Sequence, residues 1–216
     1  MGTLDTGTVR PKVSASSALA ASPRSIGGLR SRAAACTACP LYGRATQTVF
    51  GEGPARAKLM IVGEQPGDEE DREGHPFVGP AGRYLDKCLD EAGIDRNDVY
   101  LTNVVKHFKW VPQPRGKRRI HSKPNAAEIL ACRGWLEAEI RIVSPDTILC
   151  LGATAAQAFQ GRRFSVLEHR GKILRSPDGA RFLATYHPSA ILRMPTSQDR
   201  AKAKALFLED LRRAAT

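Results

Sequence analysis

Glu64 and Gln65 follow directly on a short apolar run, Lys58-Leu-Met-Ile-Val62, and are pinned between Gly63 and Pro66-Gly67. A carboxylate and an amide at the end of a buried strand are how an α/β sheet presents polar groups to a ligand at its carboxyl edge. Phe77, within Pro76-Phe-Val-Gly-Pro-Ala-Gly82, adds an aromatic face on a turn that proline stiffens and glycine opens to close approach. Asn103 and His187 stand at the ends of two further strand-like runs. Asn offers a donor and an acceptor together, His can donate to a carbonyl, and a Phe ring can stack, so the set can read a planar heterocycle. Each residue also has a plainer reading: Asn103 in a turn, His187 as a cap before a helix, Phe77 in the core, and the acids at 68–71 as helix caps. Their shared place at one edge favours a common site.

Holding them there requires a particular scaffold. Apolar runs at residues 58–63, 99–105, 146–151 and 181–186 read as strands. Helical patterns cover residues 81–92, 125–142, the Ala-rich stretch after Gly152, and 197–214, with Asn125-Ala-Ala-Glu128 forming a capping box. A β-rich connection is expected near residues 166–174, and the long basic segment 107–124, with Pro112, Pro114 and Gly116, reads as a loop. Strand and helix alternate, which predicts a three-layer α/β/α sandwich around a central, mainly parallel four-stranded sheet. Residues 1–30, rich in Ser, Ala, Gly and Thr, read as a disordered tail, and 31–216 as one domain.

The chain has 216 residues with 33 Lys+Arg against 22 Asp+Glu, a net charge of +11. That excess favours a polyanionic partner, nucleic acid first, over an indifferent basic surface. No apolar run can span a bilayer. Five cysteines, an odd number, and no secretory leader argue against a disulfide framework and for a reducing, cytoplasmic setting. Cys36-x-x-Cys39-Pro40 is a half-site for a metal or cluster, with a redox pair as the other reading, and Cys132 lies on a helix. Cys88 and Cys150 sit among apolar residues and read as packing.

Four motifs together, Gly63-Glu-Gln-Pro-Gly67, Pro76-Phe-Val-Gly-Pro-Ala-Gly82, Leu101-Thr-Asn-Val-Val-Lys106 and His187-Pro-Ser-Ala-Ile-Leu-Arg193, resemble those of the uracil-DNA glycosylase superfamily in its iron–sulfur, family 4-like branch. The resemblance runs from about Cys36 to the last helix. It implies that residues 31–216 form a uracil-DNA glycosylase-like domain acting on uracil in DNA, single-stranded preferred because no pairing is lost there. By the same resemblance, Phe77 stacks on the flipped-out base against Gly63, and Asn103 bonds its pyrimidine edge. His187 contacts a carbonyl and stabilises the leaving anion. The loop from Ser189 through Leu192 to Arg193 presses into DNA, with Leu192 a wedge. The family's next cluster ligand falls at His107, where ordinary members carry Cys. This implies a 4Fe-4S cluster on Cys36, Cys39, His107 and Cys132, with a Cys3His zinc site as the rival.

The segment Gly116-Lys-Arg-Arg-Ile-His121 departs from ordinary members. By composition it is a basic cluster that touches phosphates, with His121 incidental. Lys117-Arg-Arg-Ile-His121 together with Gln65 after Glu64 is similar to the UdgX subgroup. That resemblance implies that His121 bonds covalently to the sugar once uracil departs, with Glu64 and Gln65 in the catalytic set. Lys117, Arg118 and Arg119 would then anchor phosphates. Neutral imidazole is a competent nucleophile, and a carboxylate on its other nitrogen would orient it. Two alternatives stand beside this: a turnover glycosylase that releases an abasic site, and a non-catalytic iron–sulfur DNA-binding protein. The expected protein is a monomer with no membrane association and no small-molecule cofactor.

Overall fold

A computed structural model describes residues 24–113, 119–176 and 179–216. The central sheet has strand order β2-β1-β5-β7-β6, built from β1 (Leu59–Gly63), β2 (Val99–Asn103), β5 (Thr147–Leu151), β6 (Leu174–Arg175) and β7 (Arg181–Thr185). Four strands are parallel as expected, and the two-residue β6 adds a fifth, antiparallel edge. The connection holding β6 also carries one helical turn, α6 (Val166–His169). The four parallel strands are mostly apolar because both faces are covered. Met60, Val62, Ile148, Cys150, Phe182 and Ala184 face one core, and Leu59, Ile61, Leu149, Leu151 and Leu183 the other.

The first core is closed by α1 (Ile26–Ala33), α4 (Ala126–Val143) and α5 (Ala153–Gln160). The second is closed by α3 (Pro80–Ala92), α7 (Pro188–Leu192) and α8 (Ser197–Ala215). A short acidic helix, α2 (Asp68–Glu73), precedes α3. The tail expected over 1–30 ends sooner: Ser25 caps α1 by accepting from Gly28 N, and Ile26, Leu29 and Ala33 are buried. Residues 1–23 lie outside the described residues.

The segment expected as a loop contains an antiparallel hairpin, β3 (Trp110–Pro112) with β4 (Arg119–His121). The capping box before α4 is present: Glu128 N donates to Asn125 Oδ1 (2.9 Å), and Asn125 N to Glu128 Oε2 (2.7 Å). A buried ion pair fastens α4 beneath β2. Lys106 Nζ lies 2.5 Å from Glu139 Oε2 and also donates to Thr102 Oγ1 and the Asn103 carbonyl. Glu139 further accepts from Gly51 N, Tyr100 OH and Thr102 Oγ1, each at 3.0 Å. Every acceptor of this buried carboxylate is therefore in use, the condition under which a charge can leave water.

Candidate active site

Register brings the polar strand ends level: Gly63 pairs with Asn103, and Leu151 with Thr185, so the turns after β1, β2, β5 and β7 meet at one edge. Gly63 lies there between the Asn103 amide and the Phe77 ring. A Cβ on it would stand 2.3 Å from Asn103 Oδ1 and 2.8 Å from Phe77 Cζ, so any larger residue would have to displace these two side chains. Phe77 has φ 60, a left-handed conformation costing a bulky residue about 1–3 kcal/mol. Its surroundings hold it there: Glu70 accepts from both Gly67 N and Gly79 N, and Gly82 passes so close that a Cβ would meet the Phe77 carbonyl oxygen at 1.8 Å. The ring is buried in the second core, with its Cζ beside Gly63, so the core reading and the ring-stacking reading describe one side chain.

His187 lies across the edge, where Gly152 (φ 84) brings the β5–α5 turn within 3.1 Å of the His187 Cβ, measured from the Cβ that glycine lacks. Ser189 N–H donates to His187 Nδ1 (3.1 Å), and Ser189 Oγ lies 2.8 Å from the same nitrogen. Nδ1 is therefore the acceptor, and the proton of the neutral ring sits on Nε2. Burial, helped by the nearby positive charge of Arg193 and by His121, holds the His187 pKa down to about 4. At neutral pH this ring is an uncharged Nε2–H donor. Ser189, expected on DNA, is thus engaged in orienting His187, while Leu192 and Arg193 are exposed.

The hairpin forms a flap over this edge. Its stem is gripped by Gln65, whose Nε2 donates to the carbonyls of Lys109 (3.1 Å) and Ser122 (3.2 Å) while Oε1 accepts from Lys109 N. Gln65, expected among the catalytic groups, has its amide committed to this clasp. Arg119 and His121, two apart on β4, point to the same side. Arg119 was expected on phosphates. Its side chain instead turns inward, pairing with Asp68 and with Asp71 (2.6 Å), and its guanidinium lies 5.3 Å from the Phe108 ring centroid and 5.6 Å from that of Trp110. The acids of α2, readable as caps, serve as the flap's latch. Lys117 and Arg118 lie outside the described residues.

These anchors place His121 Nε2 3.4 Å from Glu64 Oε1, a charge-pairing distance longer than a good hydrogen bond. Burial lowers the His121 pKa below its ordinary 6.5; Glu64 opposes the shift and Arg193 adds to it. The ring is half exposed and uncharged at neutral pH. The other Glu64 oxygen, Oε2, accepts from the hydroxyl of Thr154, a residue the sequence did not single out. A groove of about 630 Å³ between α4 and α5 lies on the flank of the sheet and shares Thr154 with this edge.

The expected metal ligands present a mixed picture. Among the described residues no group of three or more His, Cys, Asp or Glu side chains stands where it could hold a metal ion, so the tetrad is not gathered as a single-ion site. Locally the donors fit a cluster better. Thr48 Oγ1 gives its proton to the Ala33 carbonyl and so accepts from His107 Nε2 (2.9 Å). That leaves His107 Nδ1 as a buried lone pair without a partner. Burial holds the His107 pKa down to about 4. Cys132 Sγ accepts from Lys106 N (3.2 Å), and Cys36 Sγ from Trp135 Nε1 (3.3 Å). Burial pushes the Cys132 thiol up to about 12, with Cys36 and Cys39 near enough to add to the shift. Cys88 and Cys150 are buried in the cores, as expected.

The edge thus combines an aromatic ring and an amide that meet at Gly63, a neutral imidazole donor, and a second imidazole beside a carboxylate. A family model described as "Uracil DNA glycosylase superfamily" matches residues 50–212. The chain is 41% identical over 180 residues to a protein named type-4 uracil-DNA glycosylase from Thermotoga maritima, covering 83% of this chain and 87% of that one. It is 39% identical to a type-4 uracil-DNA glycosylase of Pyrobaculum aerophilum (74% of this chain, 81% of the relative). A type-5 uracil-DNA glycosylase of Thermus thermophilus is 31% identical (77% of this chain, 78% of the relative).

Proposed function

Because the chain belongs to the uracil DNA glycosylase superfamily, we propose that it excises uracil from DNA, single strands preferred, and ends the reaction by bonding His121 to the sugar. An extrahelical uracil would enter beside Gly63, the proposed base slot, and lie against Phe77, with Asn103 on its pyrimidine edge. Extruding a paired base costs a few kcal/mol, roughly, and an unpaired one less, which supports the single-strand preference. As the glycosidic bond breaks, its electron pair goes to uracil N1 and the charge spreads onto the carbonyl oxygens. The Nε2–H of neutral His187 is a donor poised for that charge, and it adds no positive charge to the ground state. The sugar is left as an oxocarbenium ion. The lone pair of neutral His121 then closes an N–C1′ bond, and Glu64 stabilises the imidazolium formed.

The observation that carries this reading is the placement of the His121 ring beside Glu64 by a latched flap. Phosphate contacts fall to Lys117 and Arg118, with Leu192 as the wedge. A 4Fe-4S cluster on Cys36, Cys39, His107 and Cys132 is supported by the bare His107 Nδ1 and by the N–H groups aimed at two of the sulfurs. When bound it would tie together the chain segments bearing these four residues, and the ligand site takes no part in bond breaking.

A second reading is favoured by the type-4 relatives: conventional turnover, with Glu64 positioning water and an abasic site released. One assay separates the two. Protein mixed with uracil-containing single-stranded DNA should give a denaturant-stable band of higher mass, and His121→Ser should lose that band and release an abasic site. Wild-type protein that turns over without any such band would overturn covalent capture and leave the glycosylase reading standing.

A further inference from the structure

Thr154 is 94% buried, sits in the first turn of α5, and aims its only hydroxyl proton at Glu64 Oε2. The same carboxylate turns Oε1 toward His121. The two oxygens therefore have separate partners, one in the scaffold and one on the flap. No other side-chain bond among the described residues holds Oε2, and a glutamate side chain without such a bond has three torsions left to order. Gly152, on the same turn, packs against His187. The β5–α5 turn thus touches both Glu64 and His187.

We propose that Thr154 is a positioning residue for the capture step: its hydroxyl fixes Glu64 so that Oε1 holds His121 in line with the sugar. The inference rests on the covalent-capture reading above. In the step itself, uracil leaves with the glycosidic electron pair, the imidazole lone pair forms the N–C1′ bond, and the ring keeps its N–H proton as an imidazolium facing Glu64. Thr154 touches none of the reacting atoms. Without its hydroxyl, Glu64 can swing away from the flap, and His121 loses the contact that orients it. Water can then reach the oxocarbenium ion first.

The readout is the partition of excised uracil between covalent adduct and free abasic site, a ratio that the fraction of folded protein does not alter. Thr154→Val keeps the shape and removes the hydroxyl; Thr154→Ser keeps the hydroxyl. Misplacing a reacting group by about an ångström can cost on the order of a hundredfold, so Thr154→Val should shift the ratio toward abasic site by roughly ten- to a hundredfold. Thr154→Ser should stay within about threefold of wild type. An unchanged ratio in Thr154→Val overturns the inference, as does an equal shift in both variants, which would point to packing. If wild type forms no adduct, the capture reading itself fails and this inference goes with it.

Discussion

Glu139→Gln removes one charge and changes little else in shape. The carboxylate it replaces is fully buried and accepts from four groups: Gly51 N, Tyr100 OH, Thr102 Oγ1 and Lys106 Nζ. Glutamine keeps one acceptor oxygen and adds an NH2, so whichever way the amide lies, two donors face each other. Turned toward Lys106, the NH2 meets an ammonium; turned the other way, it meets Gly51 N–H and the Tyr100 hydroxyl. Breaking a buried pair from one side costs about 3–5 kcal/mol, and for a domain of this size that corresponds to a fall of roughly 6–20 °C in thermal midpoint. The usual remedy, replacing both partners by apolar residues, should fail here. Lys106→Met with Glu139→Leu strands Gly51 N–H, the Tyr100 and Thr102 hydroxyls and the Asn103 carbonyl, at about 1–3 kcal/mol for each unsatisfied group. Thermal melts of the two variants in one buffer test this. A Glu139→Gln midpoint within about 2 °C of wild type, or a double variant more stable than Glu139→Gln, would refute the reasoning.

Gly63→Ala should abolish uracil release while leaving the fold intact, because the new methyl falls 2.3 Å from Asn103 Oδ1 and 2.8 Å from Phe77 Cζ; a direct uracil-release assay checks it. Acid should destabilise the protein partly through His187, whose folded pKa of about 4 lies below its ordinary 6.5. Between those values the unfolded chain binds the proton that the folded one refuses, so stability is full above pH 6.5 and is lost as pH falls toward 4. Melts over that range should show a smaller loss in His187→Gln than in wild type.

The parallel sheet was legible because four of its strands are mostly apolar runs, a pattern that burial on both faces favours. The capping box before α4 was legible because its two side chains are local to each other. What escaped the sequence depends on contacts distant along the chain. The first helix, Ile26-Gly-Gly-Leu-Arg-Ser-Arg-Ala33, has two glycines and weak helical preference; its stability comes from Ile26, Leu29 and Ala33 packing in the first core and from the Ser25 cap. The flap's strands are three residues each, one of them ending in proline, too short to declare themselves. They persist through Gln65 and Arg119, whose partners lie about 44 to 57 positions away. The slot residues could be named by type and place, since strand ends collect at one edge. Thr154 could not, because nothing in its neighbourhood of the chain distinguishes it from any threonine entering a helix.

The flap also shows why capture, as proposed, should be a matter of geometry more than of unusual reactivity. Both readings of the reaction share the same slot, the same neutral His187 and the same carboxylate; they differ in what reaches the sugar first. A well-oriented group attached to the protein can act at an effective concentration of roughly 10⁵–10⁸ M, far above that of bulk water. That advantage survives only while the ring stays oriented. Gln65 grips the stem of the hairpin, Arg119 draws β4 down onto Asp68 and Asp71, and Glu64 faces the ring itself. The charges point the same way. Burial, with Arg193 adding to it, depresses the His121 pKa and so keeps the lone pair available before attack. After attack the ring is a cation, which Arg193 disfavours and Glu64 favours. A carboxylate beside the ring is therefore needed most at the moment the bond has formed, and a flap residue without it would have its imidazole in place and lose the adduct's stabilisation.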